Sequence, residues 1–341
     1  MAKINSENNF NIVLLSNSKC ENNFNKMLNF TFIPIVRSKY KILKYSIPIL
    51  CNIILFTSLF CILFYPTYYP SQGEVWTSDL VIGFIVYNYL LYQQKRWDIV
   101  KCDEQIEIPK WKNNISFSFY LFFMLYWLYY GIIQFSVHNE NSIKMQLLNT
   151  LMSISWYLFF SVMATIYYFI CIKLLQRAHN IRLFIKDLKK SRPHIEDFYH
   201  KYNSHHKQIK TFAKYWNFLI FFGFLLLTFH VPIDLMSIIY NHVYLDIPGF
   251  IIKLLALGWY TYCICHLNNY ETKIIPYLYK HQIYDVDKIE EIEKYIEYRK
   301  IGLDFYGIKM NGNLIIKLGL ILINLIIPTI YALFSNKIIG I

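Results

Sequence analysis

Charge is what this sequence lacks most. Asp, Glu, Lys and Arg make up 16% of its 341 residues, against 55% hydrophobic and 19% aromatic, a balance that excludes an ordinary soluble globule. No Gly-rich phosphate loop and no Ser, Cys or His arrangement of the kind used for nucleophilic catalysis occurs. Its ten histidines supply no shared ligand face. His205 and His206 are adjacent and point to different sides of a helix, whereas His230 and His266 fall at opposite ends of apolar stretches. Asp285 and Asp287 are as well explained by helix capping as by acid-base chemistry. No metal, no cofactor and no enzyme is therefore expected. An internal repeat is also missing, and with it the paired halves of many transporters.

Long apolar runs are what the sequence has instead. Seven windows, at about 45–66, 77–93, 115–135, 147–172, 215–233, 248–267 and 314–334, each approach the ~20 residues a helix needs to cross ~30 Å of hydrocarbon. They are continuous rather than alternating, which favours helices over a closed barrel. The fold class is thus all-α, a polytopic membrane protein with seven transmembrane helices and cytoplasmic helical extensions. MAKINSENNFNIVLL lacks the features of a cleaved signal peptide, so the first span is expected to direct insertion.

The net charge of +12 raises the question of nucleic acid, and its distribution argues against that partner. Alternate inter-span segments hold 30 and 2 of the 34 Lys and Arg residues, with Lys253 and Lys317 left inside spans. This is the positive-inside pattern. It predicts a cytoplasmic amino terminus and an extracellular carboxyl terminus: residues 1–44 form a cytoplasmic segment, 45–334 the seven-helix domain with extensions at 174–214 and 268–313, and 335–341 a short external tail. The sequons at Asn29 and Asn114 then lie inside. None of the seven cysteines falls in an external segment, so no exterior disulfide framework is expected.

Two stripes shape the long cytoplasmic segment between the fourth and fifth windows. Leu174, Ala178, Ile181, Ile185 and Leu188 recur at helical spacing, as do Phe198, Tyr202, His205, Ile209, Phe212 and Trp216. Ser191-Arg192-Pro193 separates them, because proline removes a donor and biases its predecessor out of the helix. Two antiparallel helices, each extending a span by roughly 25 Å, are predicted. In the next cytoplasmic segment Asp287 followed by Glu290 reads as a capping box, with Ile289, Ile292, Ile296 and Leu303 as the apolar stripe.

The last window, NGNLIIKLGLILINLIIPTIYALF, carries polar residues an inert anchor does not need. Asn313, Lys317, Leu320, Asn324, Pro328 and Tyr331 are spaced to share one helix face, and polar groups within a span usually face a bundle interior or water. Snorkelling of Lys317 and an interhelical hydrogen bond from Asn324 are the structural alternatives. NLIIPTIY also contains Pro-x-x-Tyr preceded, four residues earlier, by an asparagine, which invites comparison with the signature of G-protein-coupled receptors. There it lies at the cytoplasmic end of the final helix, and here charge places it outside.

The topology, the long helical extension, HHKQIKTFAKYWNFLIFFGFLLLTFHVPIDL entering the fifth span and FYGIKMNGNLIIKLGLILINLIIPTIYALF at the end together resemble the insect gustatory and odorant receptor superfamily. The family's Thr-Tyr pair is split by Ile330 into Thr329 and Tyr331, and its Gln-Phe ending is missing. The resemblance implies a plasma-membrane chemoreceptor: a homotetrameric ligand-gated cation channel, with lipid around it and the last helix lining the pore. Asn313, Lys317, Asn324, Pro328 and Tyr331 would face that pore. It further implies an outer-half pocket for an unknown small molecule, for which Trp127, Tyr130, Gln134, Ser153 and Trp156 are the candidates; ordinary aromatic packing is the alternative for these five. Four lysines ringing a pore repel cations, so Lys317 is at odds with the implied selectivity. A non-channel protein of the same topology, a transporter or scaffold, stays open on the sequence alone.

Overall fold

Two helices in this protein are far longer than a bilayer is thick. The computed structural model describes residues 108–137, 143–240, 247–300, 302–305, 308–309 and 317, with positions among 49–60 and 81–92. Its helices are α1 (Lys110–Val137), α2 (Ile143–Ser191), α3 (Ile195–Tyr240), α4 (Ile247–His281) and α5 (Val286–Tyr298), followed by the two-residue strands β1 (Asp304–Phe305) and β2 (Ile308–Lys309). At 49 and 46 residues, α2 and α3 are about 74 and 69 Å long. Each exceeds the hydrocarbon thickness about twofold. The segment Ile195–Pro232 and α4 are both long and apolar enough to cross a membrane.

The chain divides into two units, one of residues 1–105 and 117–169, the other of 106–116 and 170–341. In the first, α1 and α2 run antiparallel through their aromatic rings. Phe117 meets Tyr168 at 6.1 Å, Phe123 meets Tyr167 at 5.6 Å and Trp127 lies on Phe160 at 3.3 Å. Position rises along one helix as it falls along the other. The helical residues Asn52 and Asn88 exchange a reciprocal pair of amide hydrogen bonds of 3.2 and 2.8 Å, the usual way for an amide to be tolerated in an apolar setting. Along α1, Phe117, Leu121, Phe122, Leu125, Leu128 and Tyr129 are exposed. So continuous an apolar face needs an apolar surround, which a bilayer supplies.

The second unit holds the two apolar stripes on either side of Ser191-Arg192-Pro193. Leu174, Ala178, Ile181, Ile185 and Leu188 are all buried, and so are Phe198, Tyr202, Ile209, Phe212 and Trp216, each worth about 1.5–3 kcal/mol relative to exposure for the large side chains. The two helices face each other antiparallel: Phe184 packs on Phe198 at 5.5 Å and on His205 at 5.3 Å, and Arg177 donates to Gln208 Oε1 at 2.8 Å. The turn between them falls at the predicted Ser191-Arg192-Pro193. Arg192 has φ of 38° and still donates its N–H to the Leu188 carbonyl at 3.2 Å, so the chain reverses without leaving that carbonyl open.

Helix α5 packs its stripe inward, with Ile289, Ile292 and Ile296 buried, but two details differ from the sequence expectation. The N-cap is Asp285, not Asp287, which sits in the first turn, and Asp285 makes no side-chain cap bond. The helix begins earlier because Ile289 N–H reaches the Asp285 carbonyl at 3.0 Å. Leu303 is buried with the stripe yet lies beyond the helix, just before an antiparallel ribbon pairing Asp304 with Lys309 and Phe305 with Ile308. Tyrosine hydroxyls fasten the assembly: Tyr199 donates to Glu291, Tyr202 to the Arg299 carbonyl and Tyr284 to the Pro193 carbonyl, at 2.9, 2.9 and 2.8 Å.

Candidate functional site: a small-molecule pocket and the polar groups of the bundle

Of the five pocket candidates, Trp127 has a described side chain. It is half-buried, its indole stacked on Phe160 with rings 6° from parallel, and Tyr126 meets it edge-on at 5.1 Å. Tyr130 and Gln134 follow Trp127 on α1 by one and two turns. Trp156 and Ser153 precede Phe160 on α2 by one and two turns. Because the helices are antiparallel at this stack, all five positions belong to one stretch of the α1–α2 pair. Of the pore candidates, Lys317 is helical and exposed, whereas Asn313, Asn324, Pro328 and Tyr331 lie outside the described residues.

Two buried polar side chains inside the second unit have well-defined partners. Lys253, the other lysine within an apolar window, is held by Asp234 through both carboxylate oxygens, at 2.9 and 2.8 Å, with the two side chains 7% and 13% exposed. Tyr260, fully buried, donates to the Ile220 carbonyl at 3.1 Å, its hydroxyl lying against Gly223. A Cβ at position 223 would stand 3.4 Å from that hydroxyl, so the glycine makes room for the ring.

A second feature escaped the sequence reading. Trp259, Tyr262, His266, Tyr270 and Lys273 form a stripe at helical spacing on α4, on the face next to the buried Ala256, Tyr260, Cys263, Leu267 and Ile274. The rings follow one another at 5.1, 5.0 and 4.8 Å from Trp259 to Tyr270. Lys112, from the first turn of α1, donates to His266 Nε2 at 2.9 Å; lysine only donates, so that nitrogen accepts and the ring proton sits on Nδ1. The spacing was visible in the sequence, but nothing in it announced that Lys112 would arrive there.

In the hairpin formed by α2 and α3, His205 is held neutral. Burial, and secondarily the Arg177 guanidinium, push it down to about 4. Burial also lowers His206, whose Nδ1–H donates to the Lys300 carbonyl at 3.0 Å. Beside His206 a cleft of about 650 Å³ is lined by Lys210, Lys214, Asn217, Glu297 and Lys300. Among the described residues no group of three His, Cys, Asp or Glu side chains is arranged to hold a metal ion.

No family model matches the chain, and no curated protein matches it. Solved structures do. The insect olfactory receptor OR5 from Machilis hrabei has a TM-score of 0.68 at 9% identity, over 91% of this chain and 97% of that one. The same receptor in complex with eugenol has a TM-score of 0.67 at 9% identity, over 92% and 98%. At 9% identity almost no side chain is shared, so what the two proteins hold in common is the path of the backbone. Over nine-tenths of its length, this chain has the fold of the insect olfactory receptors.

Proposed function

We propose that this protein is a gustatory-receptor-like chemoreceptor: a ligand-gated ion channel of the plasma membrane, assembled as a homotetramer with its last helix around a central pore. The observation that carries the reading is the likeness to an olfactory receptor fold along nearly the whole of both chains. Seven spans with the amino terminus inside follow from the charge distribution, and Asn313, Lys317, Asn324, Pro328 and Tyr331 form the polar stripe of the pore helix. Small apolar organic molecules are the ligand class. One of the neighbouring structures is a complex with eugenol, and the stretch of α1 and α2 around Trp127, Tyr130, Gln134, Ser153 and Trp156 offers the mix of aromatic walls and few polar groups that such a ligand needs. Lys317 stands at the inner mouth, where its charge opposes cation entry.

Two measurements test this. Particle mass in mild detergent is expected to correspond to four copies, and whole-cell recording is expected to show ligand-evoked current altered in conductance or selectivity by Asn324→Ala and Tyr331→Ala. Lys317→Gln should raise cation conductance by removing a ring of positive charge. A monomer with no current would sink the channel and leave a non-channel membrane protein of the same fold.

A further inference from the structure

Five basic side chains gather where α1, α2 and α4 meet the cytoplasmic boundary of the second unit, without a carboxylate among them. Lys112 is 8% exposed, and its ammonium contacts His266 at 2.9 Å and the faces of Trp111 and Tyr262 at 5.4 and 5.5 Å. His266 is within electrostatic range of Lys112, Lys273, Arg182 and His179. Lys273 stands over Tyr270 at 5.4 Å. Among the described residues none of the five is in an ion pair. The contrast with Lys253, equally buried and tightly paired with Asp234, shows what this fold does with a lysine whose charge is to be cancelled from within.

A buried cation without a counter-charge is costly, and the cost is visible at Lys112. Burial pushes its ammonium below the usual lysine range, and Arg182 adds to the depression. His179 is lowered in the same way by burial, then by Arg182, Lys112 and Lys186. An anion seated here would relieve all of these groups together. The surroundings say where such an anion comes from. Trp111 is exposed, and Tyr262 and Tyr270 are partly so. An aromatic belt with basic groups just below it marks the headgroup level of a membrane. Arg182 and Lys273 are exposed on the side from which a headgroup would enter, one offering a planar fork of donors and the other a mobile ammonium.

We propose that Lys112, His179, Arg182, His266 and Lys273 form a binding site for the phosphate-bearing headgroup of an anionic lipid of the inner leaflet, with the α4 ring stripe against its upper acyl chain. The leaflet rests on the orientation given under the proposed function; the chemistry of the site does not. Cytoplasmic leaflets carry the anionic lipids that basic groups attract, and a lipid here would join α1, α2 and α4 at their inner ends.

Native mass spectrometry of the full chain in detergent tests it, with phosphatidylinositol 4,5-bisphosphate, phosphatidylserine and phosphatidylcholine as probes. Adducts of the two anionic lipids and not of phosphatidylcholine are expected, weakened about tenfold in Arg182→Glu/Lys273→Glu. The neutral pair Arg182→Gln/Lys273→Gln should weaken them about threefold. All four substitutions are on exposed side chains, so an unchanged elution volume and helix content are expected. Equal retention of phosphatidylcholine, or affinity unchanged in both double variants, would overturn the site. Displacement by free inositol trisphosphate at concentrations equal to the lipid would overturn the lipid assignment in favour of a soluble phosphate. Because binding is read without current, selective adducts from a protein that passes none would remove the channel and keep the site, and current without selective adducts would do the reverse.

Discussion

Asn268 grips the backbone of Leu303 with both ends of its side-chain amide: Oδ1 accepts the Leu303 N–H at 2.8 Å and Nδ2 donates to the Leu303 carbonyl at 3.2 Å. Both residues are buried, so the clasp replaces the water that a non-helical backbone would otherwise require. It also fixes the end of the α5 segment, and hence the start of the ribbon, to α4. Asn268→Ala leaves two buried backbone groups without partners, at about 1–3 kcal/mol each. The thermal midpoint of the solubilised protein should fall accordingly, and protease cleavage near residues 300–303 should accelerate. Asn268→Asp keeps the acceptor and loses the donor, so an intermediate loss is expected.

Gly223 and Tyr260 form a smaller lock. Gly223→Ala places its methyl 3.4 Å from the Tyr260 hydroxyl, ordinary contact, and the gain of up to ~1 kcal/mol from replacing a helical glycine should offset any crowding. Gly223→Val adds methyls that displace the ring and break its bond to Ile220, at about 1–3 kcal/mol. Tyr260→Phe should cost about 1 kcal/mol and make Gly223→Val less harmful. If Gly223→Val is as stable as Gly223→Ala in the same thermal assay, the hydroxyl is not what the glycine accommodates.

The hairpin of α2 and α3 could be read from the sequence almost residue by residue, because a 3.6-residue repeat of apolar side chains in a polar segment has few other causes. Leu174 to Leu188 and Phe198 to Trp216 are buried as their spacing requires, except His205, which is half-buried, and the chain turns at Arg192-Pro193. Details set by competition between near-equal groups were not legible. Asp285 and Asp287 are both good capping residues, and the helix starts from the earlier one, through its backbone carbonyl rather than its side chain. Leu303 looked like a continuation of the α5 stripe because burial, not helicity, is what a stripe reports. Pairings between distant segments, Asn268 with Leu303, Lys112 with His266 and Lys253 with Asp234, leave no periodic trace at all. Nor could the sequence say that Phe160 would take the indole face of Trp127.

Stability should depend on pH through His205. Its folded value of about 4 lies below the ordinary value near 6.5, so between these limits the unfolded chain binds the proton and the folded one does not. Stability is therefore fully present above about 6.5 and is lost as pH falls toward 4, by at most ~1.4 kcal/mol per unit. The thermal midpoint measured from pH 7 to 4.5 should fall, and His205→Asn should flatten the slope. His206 and His179, lowered in the same direction, contribute to what slope remains. A midpoint that rises on acidification would contradict the assignment.

The ion pair between Lys253 and Asp234 ties α3 to α4 on either side of residues 241–246, and its burial makes its contribution conditional. Two charges withdrawn from water gain little net free energy from each other, but either one left alone is strongly unfavourable. Lys253→Met takes the ammonium from a buried carboxylate and Asp234→Leu takes the carboxylate from a buried ammonium, so each single variant should lose up to about 3–5 kcal/mol. Lys253→Met/Asp234→Leu removes both charges and should return most of that loss, giving a coupling of several kcal/mol in a double-mutant cycle. Exchanging the charges, Lys253→Asp/Asp234→Lys, should restore less, because the shorter and longer side chains now start from the wrong helices. If the two single losses simply add in the double variant, the pair is a surface contact wetted by water, and the apparent burial of Lys253 has another origin.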